Sequence, residues 1–70
     1  MTKYLVIYEK TNDGYCAYVP DLPGCVASGD TKILVKSNIY EAIEFHLEGL
    51  LLDEEEIPFS QTEAEMLEFA

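Results

Sequence analysis

The stretch from Gly14 to Asp30, GYCAYVPDLPGCVASGD, constrains this chain more than any other. Pro20 and Pro23 lack a backbone N–H and hold φ near one value, so neither fits inside a sheet ladder or a helix, while Gly24 can take positive φ. DLPG therefore reads as a tight turn, entered by the strand YCAYVP and left by a third strand from Cys25 to Ser28. Upstream, Tyr4 to Glu9 reads YLVIYE, β-branched and aromatic, and Asn12, Asp13 and Gly14 supply the turn that returns it. Three antiparallel strands are expected, the first two as a hairpin.

One long helical pattern follows. Asp30 or Thr31 can serve as N-cap, and apolar residues then recur at helical spacing through Leu52. Val35, Ile39, Ala42, Ile43, His46, Gly49 and Leu50 share the face expected to cover the sheet. A second stripe, Ile33, Tyr40, Leu47 and Leu51, widens the apolar arc to about 200°, more than one helix on one sheet requires. Glu41, Glu44 and Glu48 fall outside both stripes and read as a solvated face. Gly49 reads as a site of close backbone approach, and His46 as a satisfied or boundary histidine. The acidic run Asp53 to Glu56 ends the helix before Ile57 and Pro58. Beyond it the pattern is ambiguous: Ser60 with Glu63 fits a capping box for a short helix, while Met66, Leu67 and Phe69 suit an edge strand.

A chain of 70 residues makes one small domain, whose core supplies only roughly 3 to 5 kcal/mol. Help from a partner or from self-association is expected. Tyr4, Val6 and Tyr8 share one face of the first strand and Leu5 and Ile7 the other, so neither face is polar. A single helix covers one face only, which predicts a homo-oligomer, dimer or tetramer, formed through the bare face or a strand edge.

Charge narrows the partner. The four lysines, Lys3, Lys10, Lys32 and Lys36, balance the four acids of residues 1–40, whereas residues 41–70 hold ten acids and no lysine or arginine. With no arginine and a net charge of -10, the chain has neither the basic footprint nor the bidentate donors used to bind nucleic acid. A basic protein partner suits it better. No apolar run approaches the roughly 18 residues that cross a bilayer, and the N-terminus lacks the order of a signal peptide, so a cytoplasmic location without membrane association is expected. Cys16 and Cys25 form no CxxC and read as reduced thiols. One histidine, no phosphate loop, no nucleophile elbow and serines without a base leave catalysis, metal and cofactor unassigned; a non-enzyme is expected.

The hairpin ending in GYCAYVPDLPGCVASGDT, then AIEFHLEGL, then IPF, resembles the HicB-like antitoxins of type II toxin-antitoxin systems over nearly the whole chain. The resemblance implies one α+β domain over residues 1–70 with a partial ribonuclease H-like fold: β-β-β-α-β, a mostly antiparallel sheet of order 3-2-1-4, one helix on one face, and a last strand parallel to the first. It also implies neutralisation, by direct contact, of a small basic HicA-type toxin that cleaves mRNA. The helix begins Ile33-Leu34-Val35 where relatives usually place acidic residues. The chain ends at Ala70 without the DNA-binding segment of longer members, so operator binding by this chain alone is not expected. Kinship with ribonuclease H raises a metal-dependent nuclease as a rival, but YLVIY has no acid at its centre and the nearest is Glu9. A stand-alone oligomer without a cognate toxin is the other alternative. For the toxin contact, the acidic stretch Asp53, Glu54, Glu55 and Glu56 and the tail acids Glu65 and Glu68 are the electrostatic candidates, with Tyr40 and Leu47 as apolar anchors.

Overall fold

The structure is a computed structural model and describes residues 2–70. It comprises β1 (Ile7–Thr11), β2 (Gly14–Tyr18), β3 (Val26–Gly29) and α1 (Lys32–Leu52). The fold is α+β, an antiparallel sheet of order β1-β2-β3 with the helix on one face.

Each boundary has a local cause. β2 stops at Tyr18 because Pro20 offers no N–H, and the amide of Val19 instead reaches the carbonyl of Cys25 across the loop at 3.2 Å. Within that loop Leu22 N–H bonds Val19 C=O and Cys25 N–H bonds Leu22 C=O, each at 3.0 Å, so two turns follow one another with a proline second in each. Gly24 takes φ of 83°, the conformation its turn position demands. The effect is to drive Leu22 inward until it is wholly buried.

Gly29 sets how closely helix and sheet approach. A Cβ there would lie 2.8 Å from the backbone nitrogen of Val35 and 3.1 Å from its Cα, so only glycine lets the first helical turn rest on β3. Thr31 is the N-cap, its Oγ1 accepting from Leu34 N–H at 3.1 Å. Asn38 donates to the carbonyl of Ser28 at 2.9 Å and holds the second turn to the same strand.

The core is Ala17, Val19, Leu22, Cys25, Val35 and Ile39, with Tyr8, Tyr15, Ala27, Ala42, Ile43 and Leu47 packed partly against it. Burial pushes the Cys25 thiol up in pKa, as for an inert structural cysteine, and both cysteines are free. Of the face expected to cover the sheet, Val35 and Ile39 are buried, while Ala42, Ile43, His46, Gly49 and Leu50 are only half-buried. Length explains this: strands of five residues span about 17 Å, and a helix of 21 residues about 32 Å. The helix outruns the paired sheet.

Three expectations are corrected. The first strand was expected from Tyr4, but pairing begins at Ile7, since β2 has no residue left to bond once it reaches Pro20. Gly49 allows no close approach: a Cβ there would meet nothing within 4 Å. The strand expected in the tail is not formed, and neither is the alternative short helix; residues 55–70 carry no regular element. The amides of Gln61 and Thr62 are held by the carboxylate of Asp21 rather than by a strand partner or a helical turn. With the overhanging helix and this tail, the radius of gyration is 13.6 Å, above the roughly 11 Å of a 70-residue domain.

Candidate binding groove and acidic half

Because α1 packs over β3 and β2 and is offset from β1, an open groove of about 380 Å³ lies between the helix and the first strand. Tyr4, Val6 and Tyr8 form one wall and Ile39, Tyr40, Ile43 and Leu47 the other, with Lys36 and Glu44 at the rim. Lys32 lies over the Tyr8 ring, its Nζ 4.8 Å from the centroid, and closes one end with a cation–π contact. At the other end the Tyr4 hydroxyl donates to the carbonyl of Pro58 and ties in the root of the tail. Burial, and secondarily the charge of Asp21, raises the Tyr4 pKa, so the phenol stays protonated and able to donate.

Asp21 holds the tail further along. Its carboxylate accepts from the N–H of Gln61 at 3.0 Å, the N–H of Thr62 at 3.1 Å and the Thr62 hydroxyl at 2.9 Å. These bonds, the Thr62 amide foremost and the Gln61 amide next, hold the carboxyl below its ordinary pKa. No sequence signal marks this contact, which joins residues some 40 apart.

Of the residues expected to meet a partner, Tyr40 and Leu47 are brought together on the groove wall, Tyr40 66 % exposed and Leu47 half-buried. Asp53 caps the helix through its N–H to the carbonyl of Gly49. Glu54 adopts φ of 56°, and the N–H of Glu55 returns to the carbonyl of Leu50 at 2.9 Å, so the turn that ends the helix presents Asp53, Glu54, Glu55 and Glu56 to solvent as one group. Glu65 and Glu68 are exposed in the tail, on no strand. Sequence reasoning passed over Phe45 and Leu52, which fall in neither stripe and are 80 % and 78 % exposed. At about 100° per residue both lie among Glu41, Glu48 and Asn38 on the side of the helix nearer β3. An exposed phenylalanine between glutamates is the signal that could have found this face.

Among the described residues no three His, Cys, Asp or Glu side chains converge to hold a metal ion. None of the described helices is long and apolar enough to cross a membrane. An apolar groove thus lies on the same helix as a carboxylate-rich end.

Known proteins point the same way. A family model described as "HicB_like antitoxin of bacterial toxin-antitoxin system" matches residues 4–69. A 14.9 kDa protein of Haemophilus phage HP1, from its rep-hol intergenic region, is 53 % identical over 57 residues, 81 % of this chain but 43 % of the phage protein. The chain thus spans less than half of that relative. A UPF0150 protein of Thermoplasma acidophilum is 45 % identical over 62 residues, covering 87 % of this chain and 90 % of its own. Among solved structures, the HicA3 and HicB3 toxin-antitoxin complex contains a chain that matches with a TM-score of 0.71 at 30 % identity, over 86 % of this chain and 70 % of that one. With family model, relatives and fold in agreement, this chain belongs to the HicB-like antitoxin family.

Proposed function

We propose that this protein neutralises a small basic HicA-type mRNA-cleaving toxin in the cytoplasm by direct contact, without a cofactor and without catalysis of its own. The observation that carries the reading is the match over most of the chain to one component of a toxin-antitoxin complex. Its charge supports it: ten acids and no lysine or arginine in residues 41–70 complement an RNA-binding surface, which must be cationic. In this reading Tyr40 and Leu47 anchor an apolar side chain of the toxin at the groove, and Asp53, Glu54, Glu55 and Glu56 meet its basic surface, with Glu65 and Glu68 adding to the field. The ribonuclease H-like sheet of order 3-2-1-4 belongs to the same proposal: β1 keeps a free outer edge among the described strands, available to a fourth strand in the assembled complex.

Coexpression with a HicA-type toxin tests this. The expected result is a stoichiometric complex and suppressed mRNA cleavage, with affinity falling as salt rises through the screening range. A toxin that stays active and elutes apart from this chain at low salt overturns it.

A further inference from the structure

The helix separates its charges between two flanks. At about 100° per residue, Leu34 and Leu52 lie on one line five turns apart, with Phe45 about 20° from it. Glu41 and Glu48 fall about 20° and 40° to one side of that line, and Asn38 about 40° to the other. Both helical lysines lie about 160° away. Their contacts agree, Lys36 standing at the rim of the groove and Lys32 over the Tyr8 ring. The flank nearer β3, where Asn38 meets Ser28, thus presents carboxylates and neither lysine.

Nothing in the fold covers the apolar part of this flank. Phe45 is 80 % exposed, Leu52 78 % and Leu34 45 %, and none of them belongs to the core. Leu34, Glu41, Phe45, Glu48 and Leu52 alternate apolar with acidic along one ridge, about 27 Å long.

That alternation selects the occupant. A second copy of this chain, itself of net charge -10, would set Glu41 and Glu48 against the same pair. An anionic membrane surface is repelled in the same way. A helix laid along the ridge offers side chains at matching three- and four-residue intervals, and lysine or arginine between its apolar residues would stand beside Glu41 and Glu48.

We propose that this flank is a docking surface for a basic amphipathic helix of a partner protein, with Phe45 as the apolar anchor and Glu41 and Glu48 as the carboxylates that select lysine or arginine. It lies across the helix from the groove, so it does not rest on toxin capture there, and each surface can be lost without the other.

Fluorescence anisotropy tests the surface on the full chain, with a labelled 18-residue peptide of leucine and lysine whose leucines line one helical face. The expected result is one-to-one binding, weakened at least about tenfold when the same composition is scrambled and at least about tenfold again by Phe45→Ala with the ordered peptide. Leu51→Ala, an exposed truncation outside the ridge, leaves the affinity unchanged. Glu41→Lys/Glu48→Lys weakens binding more than Glu9→Lys/Glu63→Lys, which alters the net charge equally. The proposal is overturned if the ordered peptide does not bind or the scrambled one binds as tightly, if Phe45→Ala keeps wild-type affinity, or if the two charge reversals have equal effects.

Discussion

Residues 17–39 and residues 41–70 differ in nearly every physical respect although one helix runs through both. Every fully buried apolar side chain described, from Ala17 to Ile39, lies in the first region; in the second no residue is fully buried. The first also contains the glycine that seats the helix on the sheet, Gly29. The second contains ten acids, no lysine or arginine, and the exposed apolar residues Phe45, Leu51 and Leu52. Stability thus resides in the turn and the helix start, and the other half of the helix is left free for contact. A small domain can separate the two because its helix is nearly twice as long as its strands.

The sharpest way to break this division is to truncate one leucine in each region. Leu22→Ala should cost about 2–5 kcal/mol, comparable with the whole stability of so small a domain, and leave much of the chain unfolded. Leu52→Ala, at a side chain 78 % exposed, should stay within about 0.5 kcal/mol. Urea unfolding measures both, and equal costs would contradict the division.

Two glycines give a smaller contrast of opposite sign. Gly29→Ala forces a Cβ against the backbone of Val35 and should destabilise by about 1–3 kcal/mol, since backbone cannot move aside as a flexible side chain can. Gly49→Ala meets open space inside a helix and should stabilise by up to about 1 kcal/mol. Thermal unfolding of the pair reads the difference.

The clasp at Asp21 should add little to global stability and act chiefly on the tail. Its native pKa lies below the ordinary 3.8, so the ionised, hydrogen-bonded form is fully favoured above that ordinary value and is lost as pH falls through the lowered native one. Hydrogen exchange at the amides of Gln61 and Thr62 should be slowed at neutral pH and released in strong acid. Asp21→Ala should release them at neutral pH while lowering the unfolding midpoint only slightly.

Much of this division was legible in the residues. Pro20, Pro23 and Gly24 marked the turn, Asp30 or Thr31 the helix start and Leu52 its end, because each depends on local backbone chemistry. Val35 and Ile39 were legible as core from their spacing. Leu22 was not, since a leucine inside a turn motif carries no period and its burial follows from how two consecutive turns fold it inward. His46 and Leu50 have the right period but lie beyond the packed core, a matter of relative element length that a helical wheel does not contain. The tail's contact with Asp21 is set by tertiary proximity alone. Of the candidate site, Tyr40 and Leu47 were legible from the surplus apolar arc, whereas the groove between them and β1 depends on the offset of the helix over the sheet.

The central claim is that the acidic half binds a basic toxin while the other half holds the fold. Its most direct test is Glu54→Lys/Glu55→Lys, measured for both properties at once. The prediction is an unfolding midpoint at least as high as wild type, because exposed like charges at the helix end are relieved, together with toxin affinity reduced at least about tenfold. Unchanged affinity for the toxin would contradict the claim, and so would loss of the fold.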